Sequence, residues 1–200
     1  MLMSSSPVST TVFERMSGLA RELGAINLGQ GFPDREHSPE LIEAARRALL
    51  EKSNQYPPMR GLTELRGAVR AYYAREQGLE VRGEEIVVTS GATEALAASI
   101  LAFVSPGDEA ILFQPCYDAY RPLVERAGGT ARAVNLRPPG WTIPLDELEE
   151  AIGSRTKLIV LNTPNNPAGT LTDRATLEAL GALCEHYGIL LLCDEVWEGM

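Results

Sequence analysis

The stretch Gly188-Ile-Leu-Leu-Leu-Cys-Asp194-Glu-Val-Trp197 decides the fold. Five apolar residues stand in a row with nothing polar to face water, which predicts a strand buried on both sides of a parallel sheet. The strand ends on the carboxylate of Asp194. An unpaired ion at that depth is costly, so Asp194 requires a cationic or strongly donating partner. The carboxyl ends of strands in an open α/β sheet are where ligands sit, which makes Asp194 a candidate binding group. The alternative is an ordinary helix N-cap after the strand, a position where Asp is favoured.

Working back from this stretch, strands and helices alternate. Ile86-Val-Val-Thr89, Ala110-Ile-Leu-Phe113, residues 131–135 and Leu158-Ile-Val-Leu-Asn162 read as strands. Residues 92–104, 117–127, 145–152 and 173–187 read as the helices between them, the last capped by Gly188. Repeated alternation with all-apolar strands predicts an α/β fold: a mainly parallel sheet with helices on both faces. Further upstream, residues 11–23, 39–51 and 62–77 carry helical stripes, and Gly78 is placed to cap the third. The boundaries expected are an N-terminal arm and loop over 1–35, then one large domain over 36–200.

Composition excludes several function classes. A net charge of −9 argues against a nucleic-acid partner, which requires clustered Lys and Arg. No run approaches the roughly 18 consecutive apolar residues of a membrane span. The opening Met1-Leu-Met-Ser-Ser-Ser-Pro7 lacks the basic start and apolar segment of a signal peptide. Cys116, Cys184 and Cys193 have no metal-ligand spacing, and their expected state is buried and reduced in a cytoplasmic protein. His37 and His186 are the only histidines and are expected at the surface, so metal and Ser-His-Asp chemistry have little to work with. Lys52 and Lys157 are the only lysines, against sixteen arginines.

Three further turns follow strands. Ser90-Gly-Ala-Thr-Glu-Ala95 joins a strand to a helix, presenting unpaired N–H groups and a positive dipole end that suit a phosphate. It is neither a dinucleotide fingerprint nor a P-loop, and Thr93 could simply be a cap. In Asn162-Thr-Pro-Asn-Asn-Pro-Ala-Gly-Thr170, six of nine residues are Asn, Pro or Gly: a rigid polar turn whose Asn side chains can reach a ligand oxygen or merely shape the loop. In Gln114-Pro-Cys-Tyr117-Asp-Ala-Tyr120 an aromatic could stack on a flat ligand or pack on the next helix. Together these put a phosphate cradle, an aromatic, an asparagine and a buried aspartate at strand ends of one sheet. Those parts suit a flat, phosphorylated heterocycle with a protonated nitrogen, and pyridoxal 5'-phosphate fits that description.

The same motifs, with Asn27-Leu-Gly-Gln-Gly-Phe-Pro-Asp34 and Asn54-Gln-Tyr56-Pro, carry a resemblance. The chain resembles the N-terminal portion of fold-type I, class I/II aminotransferases. Within them it is similar to the branch holding kynurenine aminotransferase, glutamine transaminase K, and methionine or N-succinyldiaminopimelate aminotransferases. The resemblance implies that the amides of Ala92 and Thr93 bind the cofactor phosphate, Tyr117 stacks on the pyridine ring, Asn166 meets its phenolic oxygen and Asp194 pairs with its nitrogen. It implies that Tyr56 reaches the phosphate in the neighbouring subunit of a homodimer, that Gly31 meets the substrate carboxylate, and that Phe13 lines the side-chain pocket. Trp197 stands where the family usually has Tyr, and an indole N–H donates but cannot ionise.

The implied reaction moves an amino group from an L-amino acid to a 2-oxo acid; carbon–sulfur β-lysis on the same fold, or a non-catalytic fragment, are the alternatives. The family's Schiff-base lysine falls beyond Met200, and neither Lys52 nor Lys157 matches it. No catalytic residue is therefore assigned within the chain. The 200 residues alone are expected to be inactive and, with strand edges exposed, poorly soluble.

Overall fold

The computed structural model describes residues 11–31 and 38–199. The opening Met1-to-Pro7 segment, the Phe32-Pro33-Asp34 end of the glycine-rich motif, and His37 lie outside the described residues. The chain falls into two compact units, Met1–Tyr56 and Pro57–Met200.

The first unit holds α1 (Val12–Leu23) and α2 (Pro39–Glu51). Thr11 caps α1 by accepting from the Glu14 N–H at 3.2 Å, and Gly24, at φ 60°, ends it in the left-handed conformation that glycine adopts without cost. Pro39 opens α2, where its missing N–H has no helical partner to lose. Between the helices the Asn27 carboxamide donates to Ser17 Oγ at 2.9 Å and accepts from the Gly29 N–H at 3.0 Å. A Cβ on Gly29 would stand 2.9 Å from the Cβ of Met16, so this glycine is needed for close approach to α1.

The second unit opens with α3 (Thr63–Tyr72), which continues into a π-helical turn over Tyr73–Gln77 and ends on Gly78 at φ 65°. A 3-10 turn over Gly83–Glu85 follows. Then come α4 (Gly91–Phe103), β1 (Glu109–Gln114), α5 (Tyr120–Arg126), β2 (Thr130–Asn135), α6 (Leu145–Ala151), β3 (Thr156–Asn162), α7 (Arg174–Tyr187) and β4 (Leu190–Asp194). The four strands form a parallel sheet in the order β2-β1-β3-β4. Helices cover both faces, as the alternation predicts. On one face Leu96 and Ile100 of α4 and Tyr120 and Val124 of α5 pack on Ala110, Leu112, Leu158 and Val160. On the other, Leu148 of α6 with Leu180 and Cys184 of α7 packs on Ile111, Phe113, Ile159 and Leu161. Successive residues of β1 and β3 feed opposite cores, the period-2 consequence of two covered faces.

Four sequence expectations need correction. Ile86-Val-Val-Thr89 forms no strand among the described residues: the Val88 N–H goes to the Arg60 carbonyl at 3.0 Å, and a ladder needs a partner strand that this segment does not meet. β4 is not buried on both sides. It stands at the edge of the sheet, with Leu190 46 % exposed and Cys193 also exposed, because an apolar run is covered only where neighbours pack on it. The three cysteines are free as expected, yet only Cys184 is buried; Cys116 is half-buried. The helix expected from residue 117 begins at Tyr120, after a turn that leaves Tyr117 at the strand end. His186 is exposed, as expected.

Candidate active site

The chain leaves β1 for β2 on one side and returns to β3 on the other, so the strand order reverses between β1 and β3 while all four strands stay parallel. Such a switch point opens a crevice outside the carboxyl ends of the strands. A cavity of about 190 Å³ lies there, among the strand ends of β1, β3 and β4 and the first turn of α4. Ala92, Thr93, Tyr117, Asn166, Asp194 and Trp197 line it, and all six were singled out from sequence.

Asp194 sits at the cavity wall, 7 % exposed. The Tyr120 hydroxyl donates to its Oδ2 at 2.7 Å and the Val196 N–H donates to Oδ1 at 3.1 Å. The sequence required a cation or a strong donor for this carboxylate; the structure supplies a phenol and a backbone amide. No Lys, Arg or His forms an ion pair with it among the described residues. Burial, reinforced by the neighbouring Asp194, pushes the Tyr120 phenol far above its ordinary pKa, so it stays a donor.

Asn162, directly across the ladder from Asp194, ties the site together. Its Nδ2 donates to the Asp194 carbonyl at 2.9 Å, and its Oδ1 accepts from the Asn166 N–H at 2.7 Å. One buried carboxamide thus fixes the last residue of β4 and the turn that presents Asn166. The same turn is closed by Asn165, whose Oδ1 accepts from the Ala168 N–H at 3.0 Å. Asn166's own carboxamide makes no hydrogen bond among the described residues, and the residue lines the cavity. Tyr117 meets Tyr120 edge to face, with ring centroids 5.7 Å apart at 76°.

Ala92 and Thr93 are the second and third residues of α4, where amide N–H groups have no carbonyl inside the helix to bond. Ser90 supplies no side-chain cap there; the Glu94 carboxylate instead accepts from the Ser90 N–H. Thr93 is therefore not the cap that composition left open. Tyr120, Asn162, Leu96 and Val196 also line the cavity and carried no assigned role from sequence. In the sequence Tyr120 stands out only as part of an aromatic motif. The need of Asp194 for a donor was the one signal that could have found it.

Phe13, Gly31 and Tyr56 belong to the first unit. Phe13 is half-buried in the first turn of α1 and Gly31 is exposed. Tyr56 is 95 % exposed at φ 50°. Lys157 lies near the amino end of β3, the opposite end from Asn162, and Lys52 caps α2 in the first unit.

In open α/β sheets the strand ends at such a switch point are where ligands sit. Residues 24–200 match the family profile of aminotransferase class I and II, and the chain belongs to that family. It is 41 % identical over 195 residues to a probable N-succinyldiaminopimelate aminotransferase of Mycobacterium tuberculosis, covering 96 % of this chain and 49 % of that protein. It is 40 % identical over 192 residues to the methionine aminotransferase of Escherichia coli, covering 96 % and 50 %. The crystal structure of YbdL from Escherichia coli, which identified a methionine aminotransferase function, matches with a TM-score of 0.91 at 38 % identity, over 98 % of this chain and 52 % of that one. The chain spans about half the length of the curated relatives it matches.

Proposed function

We propose that this chain supplies the cofactor cradle of an enzyme that moves an amino group from an L-amino acid to a 2-oxo acid with pyridoxal 5'-phosphate. The observation that carries the reading is the convergence of Asp194, Asn166, Tyr117 and the first-turn amides of α4 on one cavity. The residues fit the group. A buried carboxylate without a cationic partner suits a protonated ring nitrogen, and the free amides of a helix start suit a phosphate. When bound, pyridoxal phosphate supplies a protonated aromatic ring able to take up the electron pair left when an amino acid loses its α-proton.

In this reading Asp194 holds the proton on the ring nitrogen and Asn166 donates to the phenolic oxygen. Tyr117 covers one face of the ring and keeps water from it. The Ala92 and Thr93 amides hold the phosphate, and Trp197 closes the cavity beside Asn166 without an ionisable hydroxyl to offer. Tyr56 serves the phosphate in the partner subunit of a homodimer, while Gly31 and Phe13 meet the substrate's carboxylate and side chain. The lysine that carries the cofactor and moves the α-proton is not supplied by these 200 residues. The arm and loop over 1–35 act as substrate elements and 36–200 as part of the large domain, in a cytoplasmic enzyme.

The test is product analysis of the complete enzyme given pyridoxal phosphate, a 2-oxo acid and either methionine or, in parallel, an S-alkyl cysteine, whose sulfur sits on the β-carbon. A new amino acid paired with a new oxo acid supports transamination. Oxo acid plus ammonia, with no new amino acid, would assign carbon–sulfur or related lysis instead.

A further inference from the structure

We infer that Tyr120 is a positioning residue, aiming the Asp194 carboxylate at the ligand; the inference rests on the cofactor reading above. The hydroxyl reaches Oδ2 at 2.7 Å from the first residue of α5, and the side chain is 2 % exposed. The Val196 N–H holds the other oxygen at 3.1 Å. Donors on both oxygens fix the plane of the carboxylate, yet an ionised carboxylate offers about four lone-pair sites, so room remains for a ligand N–H. Both donors are neutral. They hold the carboxylate in place without a cation that would take the ligand's place.

Tyr120 is the side chain that donates to this carboxylate, and its surroundings offer no charged rival. α4 contributes Ala92, Thr93 and Leu96 to the cavity and the β3 end contributes Asn162 and Asn166, none of them ionisable. Cys116 and Tyr117 precede α5, and the Cys116 thiol is pushed up by burial, so it too is neutral near neutral pH. Glu195 follows Asp194 in the chain, and burial raises its carboxyl. The Tyr120 ring also meets Tyr117 edge to face at 5.7 Å, which links the donor to the aromatic proposed to cover the cofactor. Tyr120→Phe keeps that ring contact and the core packing and deletes only the donor.

The experiment measures, in the complete enzyme, the pyridoxal phosphate dissociation constant and, at one fixed pH without cofactor, the NMR chemical shift of an isotope-labelled Asp194 carboxyl carbon. Tyr120→Phe is expected to weaken cofactor binding by roughly 10-fold or more, the scale of one hydrogen bond to a charged group. It is also expected to move the Asp194 carboxyl resonance, which reports the lost donor. A fluorinated tyrosine at position 120, a stronger donor of nearly the same shape, is expected to move the resonance in the opposite direction and keeps the test open should Tyr120→Phe fail to fold. Unchanged affinity with an unchanged resonance overturns the inference. A wild-type enzyme that does not bind pyridoxal phosphate overturns the functional reading, and this inference falls with it.

Discussion

Asp194 and Asn162 form a cross-strand pair in which each holds the other's surroundings rather than its charge. Replacing Asn162 with Ala removes a donor from the Asp194 carbonyl and an acceptor from the Asn166 amide, both in buried or half-buried positions. The expected cost is about 2 kcal/mol of stability, visible in denaturant unfolding, with a loss of cofactor affinity because Asn166 is no longer held. Unchanged unfolding would show that the turn is fixed by its prolines and Asn165 alone. Tyr120 makes a prediction of opposite character. Its phenol is held above its ordinary pKa, by burial first and Asp194 second, so the neutral form is favoured in the folded state. The stability this provides is fully present below the unfolded phenol's pKa of about 10 and is lost as pH rises above it, by up to about 1.4 kcal/mol per pH unit. Alkaline denaturation should therefore be steeper in the wild type than in Tyr120→Phe; equal slopes would contradict the buried hydrogen bond.

At the scale of elements, α7 positions the central stretch, and its two ends are both defined by side-chain chemistry. Asp173 accepts from the Thr176 N–H at 2.9 Å, and Gly188 turns the chain into β4 at φ 66°. Asp173→Ala and Gly188→Ala are each expected to cost about 1 kcal/mol, the first for a lost cap and the second for a left-handed Cβ. The ends are distant, so the double variant should lose the sum; marked non-additivity in denaturant unfolding would mean that α7 does not dock as one rigid element. Gly78 and Gly188 are legible as caps in the sequence because capping is local; Thr11, Gly24 and Asp173 act within their own turns too, though the sequence reading assigned them no cap. Burial was less legible. The apolar run of β4 matches that of β1 in composition, yet β1 lies between two strands and β4 at the edge. Ile86-Val-Val-Thr89 likewise has the residues of a strand and lacks a ladder. At the site, Asp194 announced itself as a charge ending an apolar run. Its donor did not, because Tyr120 comes from 74 residues away and only the sheet's topology brings the two together.

At the scale of the molecule, two helical layers around one parallel sheet place three strand ends and one helix start around a single cavity. The core that sustains this is deep on both faces. Leu112, fully buried against α4 and α5, should cost about 2–5 kcal/mol as Leu112→Ala, read as a lowered denaturation midpoint; a smaller loss would mean the layer collapses into the gap. The function proposed above requires that this cavity cradle pyridoxal phosphate and that the lysine carrying it lie outside these 200 residues. Borohydride fixation of pyridoxal phosphate in the complete enzyme, followed by peptide mapping of the modified lysine, tests both halves at once. Stoichiometric fixation is expected at one lysine that is neither Lys52 nor Lys157, sharply weakened in Asp194→Ala at limiting cofactor. Fixation on Lys52 or Lys157, or binding indifferent to Asp194, would contradict it.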